Sequence, residues 1–249
     1  AGRLASEAAA LRERFERAFW LPAERCYAQA LDARKQPIDA PTSNAGHALW
    51  AGIASPDRAT LLVERLLEPD MFTGWGIRTL SSIYPTYNPM SYHNGSVWPH
   101  DNSLIAAGMA AYGRREAAGR VIGAMLDAAE HFPDHRLPEL FCGFARDRRY
   151  ASRPVEYLVS CVPQAWSAGA PFLLLQAALG LRPGAFGEPP ALDPALPEGL
   201  DRIEVRGLRG GGLRAAGRRH SFSVRRTRRG VRVAGDLPVR PIVPPTDAG

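Results

Sequence analysis

The stretch Met90–Gly113, "MSYHNGSVWPHDNSLIAAGMAAYG", runs from a segment crowded with hydrogen-bonding and aromatic groups directly into an apolar run. Its reading decides the fold. Pro99 fixes φ and has no N–H to donate, which suits the first turn of a helix and no later position. The spacing predicts a helix over 98–112 that stops at Gly113. Gly95 turns the chain, Ser96 is expected to cap, and Asp101 favours the positive helix end. This accounts for Ser96, Pro99 and Asp101. It leaves Tyr92, His93, Asn94 and Trp98 without a structural task.

Apolar spacing of the same kind recurs on both sides. It predicts helices over 4–20, 43–53 (capped by Ser43 or Asn44), 55–67 (Ser55 cap, Pro56 in the first turn), 115–132 and 163–179, the last ending at Gly180. Segment 22–40 reads as a short hairpin with Tyr27, Ala28 and Leu31 around a turn near Asp32 to Lys35. Segments 69–97 and 133–162 are long, aromatic and rich in Pro, the wrong composition for disorder, and loops of that length in a compact domain usually carry function. The expected architecture is mostly α: antiparallel helices with long loops at one end, over 1–181. A Pro/Gly linker over 182–200 follows, then a small β-rich tail over 201–249 with strands at "RIEVRGL", "HSFSVRRT" and "GVRVAGDL". The Gly-rich "GLRGGGLR" within that tail reads as a turn, because it neither ends in the Gly-Lys-Ser/Thr of a phosphate loop nor opens a helix.

The chain has 249 residues, 45% of them hydrophobic, enough for a sizeable core. Its net charge of +6 is uneven. Residues 201–249 hold twelve Arg and four acids, so the remainder is slightly acidic and is no polyanion binder. The tail arginines alternate with Val, Ile and Phe as the wet face of strands should, and no aromatic RNA-binding motif accompanies them. Neither a signal peptide nor a membrane span is visible. The sequence starts without Met inside a helical pattern, as a chain cut in the middle would. Cys26, Cys142 and Cys161 read as buried thiols, and a reducing, cytoplasmic setting is expected. His93 and His100 cannot share a helix face across Pro99, so no metal site is expected, and no cofactor.

Aromatic faces beside Asn, His and Arg are what a sugar needs, since a pyranose offers C–H faces for stacking and hydroxyls that both donate and accept. Trp75 and Arg78 in "GWGIRTLSS", Tyr84, Tyr87 and Asn88 in "IYPTYNPM", and His47 and Trp50 in "SNAGHALW" repeat that chemistry. Glu139 in "HRLPELFCGF" has two readings. Apolar neighbours would raise its pKa and fit it to act as a base on water; alternatively it opens a short helical turn.

Taken together, "SNAGHALWAGIA", "LLEPDMFTGWGIRTLSS", "YNPMSYHNGSVWPHDN", "LPELFCGF" and "CVPQAWSAGAPFLLLQAALGL" resemble the bacterial amylo-α-1,6-glucosidases of glycogen-debranching type, over about 4–181. The resemblance implies an (α/α)6 toroid of six-hairpin glycosidases, present here as its C-terminal half. It also implies an inverting mechanism in which Glu139 matches the general base. Tyr92 to Pro99 match the substrate-lining motif, with Trp75 and Arg78 on the preceding loop; Trp75 and Trp98 would stack on the sugar. The general acid would lie N-terminal to this chain. Other small glycosides on the same fold, such as mannosyl- or glucosylglycerate, and a non-catalytic carbohydrate-binding fragment are the competing readings. The partner in either case is a sugar, not nucleic acid or membrane.

Overall fold

A computed structural model of the chain describes residues 2–147, 149–184, 188–209, 219–228 and 230–239. Among them the α-helices are α1 (Gly2–Phe19), α2 (His47–Trp50), α3 (Pro56–Leu66), α4 (Pro99–Ala111), α5 (Arg115–Ala129) and α6 (Ala165–Leu179). Each falls on a predicted helix, and the 43–53 helix begins as a 3-10 turn, Ser43–Gly46. Pro at the first turn starts α3 and α4, and Gly180 at φ 55° ends α6 in the left-handed conformation that a residue without Cβ adopts freely.

Helix α4 is the central element, packing against α2, α5 and α6. It has no single apolar stripe because neighbours surround it: Ile105, Ala106 and Met109 are all fully buried. Burying Ile105 and Met109 contributes on the order of 1.5–3 kcal/mol each. Its contact with α2 is so close that a Cβ on Gly108 would stand 2.6 Å from the backbone nitrogen of Trp50.

The two long loops are stitched to each other by single-residue antiparallel bridges that run Arg78 to Val97, Val97 to Phe141 and Phe141 to Glu156. Val97 and Phe141 exchange both backbone bonds, at 2.9 and 3.0 Å, and both side chains are fully buried. Asn102, on α4, ties this frame down. Its Oδ1 accepts from Ile77 N at 2.7 Å while its Nδ2 donates to Ile77 O and Trp98 O at 2.9 and 3.0 Å. The loops are therefore fixed platforms, as buried backbone requires.

At the far end β3 (Arg202–Arg209), β4 (Arg219–Thr227) and β5 (Gly230–Gly235) form an antiparallel sheet in sequence order. Alternate residues Phe222 and Val224 of β4 pack with Leu179 and Leu196, and the arginines of β3 and β4 take the exposed positions between inward-facing residues. Of the Gly-rich turn, Gly207 to Arg209 belong to β3 and 210–214 lie outside the described residues.

Four expectations change. The 22–40 segment is two turns: β1 (Trp20–Leu21) pairs with β2 (Cys26–Tyr27), and a second turn closes Leu31 onto Pro37 across Asp32 to Lys35. Tyr27 goes to the first because its ring packs on Phe15 and its hydroxyl donates to Glu16 at 2.7 Å. The described part of the 182–200 linker is not solvated, since Ala191 and Leu196 are buried and Ala195 N donates to Ala178 O at 2.9 Å. Cys161 is exposed, whereas Cys26 and Cys142 are buried free thiols. The chain is also less helical than "mostly α" implies, because the loop frame occupies so much of it. Among the described residues no helix is long and apolar enough to cross a membrane, and no group of three His, Cys, Asp or Glu is gathered as a metal site would need.

Candidate active site

Glu139 sits in the loop frame, two residues before Phe141, in no helix. Only 5% of it is exposed. Tyr92 Oη donates to its Oε1 at 2.5 Å, and Cys161 N–H donates to its Oε2 at 3.2 Å. Its own N–H donates to Cys161 O at 3.0 Å. These donors favour the charged carboxylate, and the Tyr92 bond above all holds the Glu139 pKa below the usual value, over the opposing effect of burial. This corrects the expected rise: apolar neighbours are present, but the hydrogen bonds outweigh them. The cost falls on the donor, whose phenol is pushed up to about 12.

Tyr92 carries Glu139 to the edge of a cleft. Its ring meets His93 edge-on at 4.7 Å and Trp98 edge-on at 4.8 Å, and both of those line a cleft of about 440 Å³. The cleft lies where α2, α4 and α6 begin, with His47, Asn94, His100, Asp101 and Trp166 on its walls. Trp166, at the start of α6 and 49% exposed, stacks on His100 at 4.3 Å. His100 also lies close enough to Glu139 for each to favour the other's charge, yet burial keeps the His100 pKa below its usual value. His47 Nε2 meets Asp101 Oδ1 at 2.5 Å, which raises the His47 pKa.

The sequence-derived candidates separate into two groups. His47, His93, Asn94 and Trp98 line the cleft, with Tyr92 behind them touching Glu139. Trp75 and Arg78 do not. Trp75 is 1% exposed, with Arg146 over its ring at 4.1 Å and His131 edge-on at 5.3 Å, so it cannot stack on a sugar. Arg78 is buried over the Tyr87 ring and donates to Asp70 O at 2.9 Å. Both are frame residues: the chain doubles back there, with Phe72 bridged to Ile77 and Gly74 and Gly76 at φ 89° and 156°. Trp50 is 57% exposed and outside the cleft, while Tyr84 lines it. Ser96 does not cap either. Trp98 is the N-cap residue, and Ser96 Oγ donates to the Tyr92 backbone O and accepts from Trp98 Nε1 at 2.9 Å, which ties the Trp98 ring to the Tyr92 backbone.

Sequence reasoning gave no ligand role to His100, Asp101 or Trp166. All three stand in the first turn of a cleft-facing helix, and that shared position was the available signal.

The sequence model of the mannosylglycerate hydrolase MGH1-like glycoside hydrolase domain matches residues 1–150, which include Glu139 and most of the cleft. A search of curated proteins returns no match. Among solved structures the chain is similar to a sialidase, with TM-score 0.67 and 13% identity over 94% of this chain and 22% of that one. It is similar also to the neutral trehalase Nth1 of Saccharomyces cerevisiae, with TM-score 0.52 and 17% identity over 67% of this chain and 29% of that one. A GH63 mannosylglycerate hydrolase from Thermus thermophilus, in complex with glucose, aligns with TM-score 0.49 and 24% identity over 64% of this chain and 37% of that one. The first two likenesses concern the fold: the helices and small antiparallel sheets fit part of a six-hairpin glycosidase fold. The chain spans well under half the length of each of these three proteins.

Proposed function

We propose, from the premise that this chain belongs to the mannosylglycerate hydrolase MGH1-like glycoside hydrolase family, that it carries the general base and part of the sugar-binding wall of an inverting glycosidase. The observation behind this is one carboxylate, Glu139, kept ionised and oriented by Tyr92 beside a cleft walled by aromatic rings and imidazoles. In an inverting reaction the base takes a proton from a water that attacks the anomeric carbon, while an acid on the other face protonates the leaving oxygen. Glu139 fits the first task because it is charged at neutral pH and its geometry is fixed. Trp166 offers a stacking face to the sugar, the largely buried Trp98 contributes a ring edge to the wall behind it, and His93 and Asn94 offer hydrogen bonds to the sugar hydroxyls.

The one carboxylate that lines the cleft among the described residues, Asp101, is already bonded to His47. In this reading the acid lies N-terminal to these residues, on the remaining helices of the (α/α)6 toroid that the family resemblance implies. The substrate in this reading is a small glycoside, with an α-1,6-linked glucosyl unit and a mannosyl- or glucosylglycerate as the two leading forms; the family match favours the second. A cytoplasmic location belongs to the same proposal and rests on three free thiols. The test uses the full-length protein on isomaltose, glucosylglycerate, mannosylglycerate and trehalose, with product anomer followed by NMR. Glu139→Gln is expected to lower turnover at least about 10³-fold on whichever glycoside the parent cleaves. Turnover within a few-fold of the parent on that glycoside would remove Glu139 from the mechanism.

A further inference from the structure

Buried polar atoms almost always find partners, and the few that do not need an explanation. Among the described residues six buried side-chain atoms have none, and three of them, Thr42 Oγ1, His100 Nδ1 and Asp101 Oδ2, belong to residues lining the one cleft beside Glu139. Asp101 is the most demanding of the three. It is 6% exposed, one oxygen is held by His47 at 2.5 Å, and the other faces no donor. An ionised carboxylate only accepts, so what would satisfy that oxygen is an O–H or N–H group brought in by a ligand. Among the described residues no Arg or Lys lines the cleft, and His47, whose pKa is raised by its bond to Asp101, is already engaged by that carboxylate. A carboxylate on the sugar unit itself, as in a uronic acid, would therefore meet a carboxylate here with no Arg or Lys to receive it, whereas one on the leaving group is not constrained by this wall.

We propose that Asp101 is the specificity-determining hydroxyl acceptor of this cleft, held in place by His47, and that the sugar unit bound there is a neutral polyol. This rests on the reading of the cleft as a glycoside site and goes beyond it by naming the residue that selects the hydroxyl. Thr42 and His100 supply a second donor or acceptor to the same ring, which explains why three unmet groups share one wall.

The experiment measures binding of glucose, mannose, their monodeoxy analogues and glucuronic acid to the full-length protein by titration calorimetry. With the parent protein one deoxy position is expected to weaken binding about 10- to 100-fold, the loss of one hydrogen bond to a charged acceptor, and glucuronic acid to bind more weakly than glucose. Asp101→Asn is expected to weaken the parent sugar by a similar factor and to become indifferent to that same deletion. A flat deoxy series on the parent protein overturns the proposal without any variant having to fold. So does an Asp101→Asn protein, folded by circular dichroism, that keeps the parent's discrimination. Unimpaired turnover by Glu139→Gln would instead overturn the catalytic reading and leave these binding results standing.

Discussion

The loops that carry Tyr92 and Glu139 touch most closely at Gly95 and Gly143, and that contact offers a direct test of how the base is positioned. A Cβ on Gly143 would stand 2.7 Å from the carbonyl carbon of Gly95 and closer still to its oxygen. Cβ contacts below 3.0 Å essentially do not occur, and here the neighbour is backbone, which cannot swing aside. Gly143→Ala must therefore part the two loops by about 1 Å or more, a displacement of the size that costs a reaction about 10²-fold. Gly143 N donates to Pro89 O at 2.8 Å and Tyr87 Oη donates to Gly143 O at 3.1 Å. Losing both would cost about 1–3 kcal/mol, which lowers the midpoint of thermal unfolding by about 2–10 °C while the helical core stays intact. The assay is kcat and KM on the cleaved glycoside, beside a thermal melt. The expected result is a kcat loss near 10²-fold in a protein that still unfolds cooperatively. Turnover within about threefold of the parent would refute the claim that the meeting of these loops sets the Tyr92–Glu139 geometry.

Two further outcomes follow from the charged groups. Tyr92→Phe removes the main cause of the lowered Glu139 pKa, so the acidic limb of the kcat/KM profile should move to higher pH, while the rate at pH 7 changes by no more than about tenfold; an unmoved limb would show that Tyr92 does not tune the base. For His47 the folded pKa is raised by Asp101, so its stabilisation is fully present below about pH 6.5 and is lost as pH rises through the folded value. Because that ring is 38% exposed, His47→Gln should cost only about 1 kcal/mol, or about 2–4 °C, at pH 5.5, with the gap to the parent closing in melts at higher pH.

The helices were legible because their ends are marked: Pro56, Pro99 and Gly180 each sit where chain chemistry favours a start or a stop, even though α6 also carries Pro171 in its interior. The loop frame was not. Its order comes from single-residue bridges between segments far apart in sequence, and a lone bridge leaves no periodicity to read. The same gap explains the misplaced candidates. Trp75 and Trp98 look alike in sequence, each an aromatic beside small or turn-forming residues, and both are buried, but one is sealed under Arg146 and the other lines the cleft where α4 begins. Composition identifies groups able to bind a sugar; only the packing decides which of them face outward.

Within the Met90–Asn102 stretch hydrogen-bond satisfaction separates frame from site, although elsewhere Trp75 Nε1 and Arg78 Nε, both in the frame, also lack partners. Asn102 has both ends of its amide occupied by backbone groups, and Ser96 is spent on two neighbours within the same stretch. These residues hold the loops, and a ligand has little left to engage on them. Asp101, next to Asn102 in sequence and likewise buried, keeps one oxygen unpaired, and His100 keeps one ring nitrogen. An unpaired buried polar group costs on the order of 1–3 kcal/mol. That such groups lie side by side on one wall, beside a carboxylate held ready as a base, is accounted for if the missing partners arrive with the substrate. Within Met90 to Asn102, then, Ser96 and Asn102 spend their bonds on the frame, and the unmet atoms of His100 and Asp101 are those the proposed ligand would engage.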